Sequence, residues 1–126
     1  MKNIKILLVD GDPVYTSEVS EQLKADGSTV DIVENRAEAE KALAAAKYDL
    51  VITDLVMEKA DSGFSLAFHI KKDAPETKVV IATDVNSRHG VKFSVDTEAE
   101  RAWIKADAFL DKPYRYEQLA TVIERL

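Results

Sequence analysis

Tyr48-Asp49-Leu50-Val51-Ile52-Thr53-Asp54-Leu55-Val56-Met57 decides how the rest of the chain is read. Its aliphatic run, Leu50 to Ile52, offers no polar side chain to water and predicts a strand buried on both faces. Strands of that kind lie in the middle of a parallel sheet with helices on both sides. The strand delivers a carboxylate, Asp54, at its C-terminal end. In open α/β sheets ligands and chemistry gather beyond the carboxyl ends of the strands, so Asp54 stands at a candidate site.

Four more runs read as strands. Ile4 to Val9 is the first, ending at Asp10-Gly11-Asp12-Pro13. Asp12-Pro13 has the form of an N-cap followed by proline at the first helical position, opening a helix with Tyr15, Val19 and Leu23 on one stripe and closing at Asp26-Gly27. Ser28 to Val33 predicts the second strand. Asn35 and Glu38 then form a capping pair for a helix over Arg36 to Lys47, whose core face is Ala39, Ala42, Leu43 and Ala46. Beyond the opening stretch, a loop from Glu58 to Ser62 leads to Gly63 and a helix through about Lys72 that carries Phe64, Ala67, Phe68 and Ile70. Pro75 ends it. Val79 to Ala82 is the fourth strand, ending at Thr83-Asp84. Thr97 and Glu100 mark a capping box for a helix holding Ala102, Trp103 and Ala106. Ala108 to Leu110 is the fifth strand, ending at Asp111-Lys112-Pro113, and the last helix, from Tyr114, has a stripe of Leu119, Val122, Ile123 and Leu126.

Five strands alternating with five helices, (βα)5, predict an α/β fold with a doubly wound five-stranded parallel sheet. Right-handed crossovers and the flavodoxin-like order 2-1-3-4-5 put the first and third strands side by side. Asp10, Asp12 and Asp54 are then expected to converge.

Composition narrows the function classes. The 126 residues suit one domain over 1–126, and 46% hydrophobic with 32% charged residues is ordinary for a folded soluble domain. The apolar run at Ile6 to Val9 is too short for a signal core or a membrane span, so the expected location is cytoplasmic. Absence of cysteine excludes disulfides, thiolate metal sites and a cysteine nucleophile. A net charge of -6 without clustered Lys and Arg argues against nucleic acid as a partner and leaves acidic clusters that suit a cation. His69 and His89 are too few and too scattered for a metal site or a triad, and His69 reads as an exposed helix residue.

Val9-Asp10-Gly11-Asp12-Pro13, Asp54 within its strand, Thr83 after the fourth strand and Lys112-Pro113 after the fifth resemble the receiver domain of two-component response regulators. The resemblance covers the whole chain and implies a stand-alone switch phosphorylated on an aspartate. Asp54 matches the phosphoacceptor. Asp10, Asp54 and the backbone carbonyl of Val56 match the groups that hold Mg²⁺, Lys112 matches the cation that faces the acyl phosphate, and Thr83 and Phe109 match the switch pair. The implied partners are a histidine kinase or phosphotransfer protein and a downstream effector protein. Neither nucleic acid nor membrane is implied, the chain is expected to be a monomer or weak homodimer, and it assists only its own phosphorylation and dephosphorylation without being a turnover enzyme.

The chain departs from the family in places. The family sets two adjacent acids at the end of the first strand, whereas Asp10 is followed here by Gly11. Two readings of Asp12 stand side by side: a partial substitute that leaves Mg²⁺ binding weakened, or an N-cap. Glu58 stands where proline is common, Gly63 comes one residue late, and Asp84 occupies a position usually small. Val85 to Asp96, with Arg88, His89, Lys92 and Phe93, is long for an α/β connection and reads as a partner surface, a mobile lid or a tolerated insertion. Gly11 also supports a competing function, a pseudo-receiver acting as a phosphorylation-independent interaction module. A flavin or nucleotide binder on the same fold ranks last, because Asp10 and Asp12 would repel a bare phosphate where such proteins place a Gly- or Ser/Thr-rich loop.

Overall fold

Continuous apolar runs become the centre of the sheet. The computed structural model describes residues 3–54, 62–83 and 106–126, including side chains for all of these except 62–64 and 83. Strands β1 (Lys5–Val9), β2 (Thr29–Val33), β3 (Leu50–Thr53), β4 (Lys78–Thr83) and β5 (Ala108–Asp111) form one sheet in the order β2-β1-β3-β4-β5. Every neighbouring pair is parallel. The order and direction are those expected from the sequence.

Alternation splits each strand between two cores. Leu7, Val9, Val51, Val79 and Ile81 face one cluster with Ala39, Leu66, Ala67 and Ile70. Ile6, Leu8, Leu50, Ile52, Val80 and Ala82 face the other, with Val19, Leu23, Leu119 and Ile123. Helices α2 (Arg36–Ala45) and α3 (Ser62–Asp73) therefore cover the first face, and α1 (Pro13–Ala25) and α4 (Tyr116–Glu124) cover the second. Fully burying a Leu or Ile side chain contributes on the order of 2 kcal/mol, so these central strands hold much of the stability. β2, at the edge, buries only Val30 and leaves Ile32 exposed.

Local signals set the helix ends. The Asp12 carboxylate accepts from the backbone N–H groups of Val14 and Tyr15, with Pro13 opening α1. Asn35 Oδ1 accepts from Glu38 N at 2.9 Å while Glu38 Oε1 accepts from Glu34 N at 3.0 Å. The second of these bonds closes one residue earlier than a standard capping box.

Several expectations shift. The last helix begins at Tyr116 rather than Tyr114, because the Arg115 N–H is taken by Gln118 Oε1 at 2.8 Å and starts the helix after Pro113-Tyr114. Phe68 does not face the core. It is 56% exposed, since it sits roughly 200° around the axis from Leu66 and away from the buried Leu66, Ala67 and Ile70. His69 is exposed as expected, and its Nε2 lies 3.1 Å from Asp73 Oδ2. Ala106 lies outside any helix, buried just ahead of β5. The rest of the helix expected from Thr97, the Val85 to Asp96 segment, Val56, Glu58 and Asp84 lie outside the described residues. Among the described residues no helix is long and apolar enough to cross a membrane.

Candidate functional site

Sheet register builds the site. Val9 pairs with Thr53 across β1 and β3, so the next residue of each strand, Asp10 and Asp54, leaves the sheet at the same rim. Both remain tied to the ladder by their backbones: Asp54 N donates to Val9 O, and Asp10 N to Val33 O, each at 3.0 Å. At the far side Thr83 ends β4 in register with Asp111, and Lys112 follows directly. The Lys112–Pro113 peptide is cis.

The lysine side chain reaches back across the rim. Its Nζ donates to Asp10 Oδ2 at 2.5 Å and lies 3.9 Å from Asp54 Oδ2. The other oxygen of Asp10, Oδ1, accepts from Asp12 N at 2.9 Å. The side chains of Asp10, Asp54 and Lys112 are 5%, 15% and 17% exposed, so the charges sit in a partly dried crevice where each depends on the others. A lysine is a strong point charge with three donors, suited to serving two carboxylates or the oxygens of a phosphoryl group.

Two tyrosines close one side of this cluster. The Lys112 ammonium lies 4.1 Å from the centre of the Tyr15 ring, within cation–π range. The hydroxyls of Tyr15 and Tyr114 share a 2.6 Å hydrogen bond, and their rings meet edge to face with centroids 6.1 Å apart. Burial first, then Tyr114 and the negative charges of Asp10 and Asp54, push the Tyr15 phenol far above its ordinary value of 10.0. Tyr114 is pushed up to about 12, chiefly by burial and further by Asp10, against the lowering effect of its bond with Tyr15. Both phenols are therefore neutral at physiological pH.

Of the expected site residues, Asp10, Asp54 and Lys112 are brought together. Thr83 is placed by its backbone at the same rim. Phe109 is partly buried against the core cluster that contains Ile81 and Val79. Asp12 comes close through its backbone, but its carboxylate is the cap of α1. Among the described residues no three Asp, Glu or His side chains gather into a group that could hold a metal ion. The bonds from Val14 N and Tyr15 N to its carboxylate favour the capping role of Asp12 over the substitute metal ligand. Gly11 is not held by conformation, since its φ lies outside the left-handed region, and among the described residues a Cβ there would meet only Glu34 O, at 3.7 Å. Tyr15 and Tyr114 were legible in sequence only as a helix-stripe residue and the start of the last helix. The one hint was a tyrosine, an apolar ring with a polar tip, in the first turn of a helix that begins at the rim.

The family model for the response regulator receiver domain matches residues 6–124. The gliding motility regulatory protein of Myxococcus xanthus is 30% identical over 127 residues, covering 99% of this chain and 15% of its own length. The transcriptional regulatory protein RprY of Bacteroides fragilis is 27% identical over 125 residues, 99% of this chain and 50% of its own length. The chain thus spans half or less of these relatives. Among solved structures, the response regulator TrrA of Thermotoga maritima, in complex with Mg²⁺-BeF, aligns with a TM-score of 0.77 and 28% identity, covering 99% of this chain and 98% of that one. A two-component response regulator from Clostridium difficile aligns with a TM-score of 0.78 at 23% identity over 96% of this chain and 93% of that one, a likeness of fold. With the family model matched over residues 6–124 and the sheet in the family's order, the chain belongs to the response regulator receiver domains of two-component systems.

Proposed function

We propose that this domain is a phosphoacceptor switch that takes a phosphoryl group on Asp54 from a histidine kinase or phosphotransfer protein of the cytoplasm. The observation that carries the proposal is Lys112 Nζ, bonded to Asp10 and 3.9 Å from Asp54 Oδ2. A carboxylate oxygen of Asp54 attacks phosphorus, a P–O bond forms, and the P–N bond of the donor phosphohistidine breaks with its electron pair leaving on the imidazole. Such a transfer needs positioning and charge neutralisation more than covalent activation. In this reading Lys112 neutralises the added charge. Asp10 holds the ammonium at the rim, and the sheet fixes both carboxylates by backbone hydrogen bonds.

The donor chemistry fits Mg²⁺, which prefers carboxylate and carbonyl oxygen and keeps several waters. Asp10 and Asp54, with the Val56 carbonyl, would hold it, and when bound it supplies further charge neutralisation at the phosphoryl oxygens. The relative TrrA was solved with Mg²⁺-BeF. Thr83 and Phe109 are assigned the readout, a local charge change passed to a two-state packing element and on to an effector protein. The domain assists only its own phosphorylation and dephosphorylation.

Incubation with phosphoramidate should add one phosphoryl group that hydroxylamine removes, as expected of an acyl phosphate, and Asp54→Ala should take up none. A hydroxylamine-resistant adduct, or equal uptake by Asp54→Ala, would reject Asp54 as acceptor. One observation favours the pseudo-receiver: Asp10 is followed by Gly11, so position 11 offers no carboxylate. In that reading wild type takes up nothing and Gly11→Asp restores uptake.

A further inference from the structure

Lys112 has a partner that the phosphoacceptor reading does not use. Its ammonium is bounded on one side by Asp10 and Asp54 and on another by the face of Tyr15, 4.1 Å away. That ring cannot drift freely. Its backbone N–H is bound to the Asp12 carboxylate, the Asp12 N–H is bound to Asp10 Oδ1, and its hydroxyl is bound to Tyr114, two residues past the lysine. The ring is therefore registered to both strand ends that the lysine bridges. An aromatic face attracts a cation through its quadrupole and keeps water from that side, and both effects grow as the site dries.

We propose that Tyr15 is a positioning residue that holds the Lys112 ammonium between Asp10 and Asp54 by presenting its ring face to it. Without the ring, the flexible four-carbon stem of lysine leaves the ammonium free to turn toward water. The consequence for phosphoryl capture rests on Asp54 being the acceptor; the placement of the ammonium does not.

The test uses the full chain with labelled lysine, the Lys112 resonances being assigned by their loss in Lys112→Met. In wild type the ε-methylene protons of Lys112 should be shifted upfield by the Tyr15 ring current. Tyr15→Phe keeps the face and should keep both the shift and the rate of phosphorylation by phosphoramidate. Tyr15→Leu should lose the shift, and its rate should fall by about tenfold, within the range of a partly desolvated cation–π contact. Circular dichroism and thermal melting check that both variants fold. A folded Tyr15→Leu that retains shift and rate overturns the proposal, and so does a Tyr15→Phe that loses both as fully as Tyr15→Leu. If wild type accepts no phosphoryl group, the phosphoacceptor reading fails, while a wild-type spectrum without the upfield shift would still overturn the placement of the Tyr15 ring over Lys112.

Discussion

Lys112, from the end of β5, donates to Oδ2 of Asp10 at the end of β1, a contact across 102 positions of sequence. β3 and β4 lie between those two strands in the sheet, so the side chain spans the rim and brings its charge close to Asp54 on the way. One ion pair thus joins the outer and inner strands at the place where chemistry is expected.

Removing the cation leaves Asp10, 5% exposed, with a buried charge and one hydrogen bond fewer. Lys112→Met keeps the stem and deletes the charge. It should lower stability by about 1–3 kcal/mol, the cost of stranding a partly buried charged group. Urea unfolding with an unchanged m-value measures it; equal midpoints would show that the pair is strength-neutral.

Gly11→Asp should fold as well as wild type, since among the described residues its Cβ meets only a carbonyl oxygen, at ordinary van der Waals distance. By adding a carboxylate beside Asp10 it should raise Mg²⁺ affinity by about tenfold or more. Calorimetric titration with MgCl2 reads this directly. Unchanged affinity would mean that position 11 does not face the metal.

Asp12 separates its two readings through a pair of variants. Asp12→Ala should cost about 1 kcal/mol through loss of the α1 cap, whereas Asp12→Asn caps equally well and should cost almost nothing. Because the carboxylate is committed to Val14 and Tyr15, Asp12→Asn should leave Mg²⁺ affinity unchanged. A clear drop in affinity would restore Asp12 as a metal ligand.

All four tyrosines of the chain titrate above their ordinary value of 10.0. Burial is the first cause in each. Tyr48 also donates to Asp31 at 2.7 Å and is pushed up to about 12, and Tyr116 is raised further by its bond to Asp26. Raised folded values favour the neutral phenols in the native state, so their contribution is full below about pH 10 and is lost as pH climbs through about 12 and above. Absorbance near the tyrosinate band should therefore stay flat through pH 10 and rise together with alkaline unfolding. Four phenols ionising near 10.0 in folded protein would contradict this.

The strands were legible because a parallel sheet buries both faces: Ile6 to Val9, Leu50 to Ile52 and Val79 to Ala82 are all buried, and nothing but a central strand needs such runs. The acids were legible because each ends a strand and strand order then brings them together, whereas Lys112 was legible only through the resemblance to the receiver family. Phe68 was not, since hydrophobicity says that a residue prefers burial but not which arc of a short helix the sheet covers, and Leu66, Ala67 and Ile70 took that arc. Nor was Tyr15 over Lys112. That contact depends on how α1 and the turn after β5 pack, at a separation in sequence that periodicity does not reach. The role of Asp12 was open in sequence because capping and metal binding want the same carboxylate, and only the hydrogen bonds to Val14 and Tyr15 separate them.

The proposed function stands or falls with Asp54 accepting a phosphoryl group with help from the cation-holding rim. Intact mass after incubation with acetyl phosphate, with and without Mg²⁺, on wild type and Asp54→Ala, tests it most directly. Wild type should gain one phosphoryl group in a Mg²⁺-dependent way, and Asp54→Ala none. A well-folded wild type that gains no mass under either condition would contradict it.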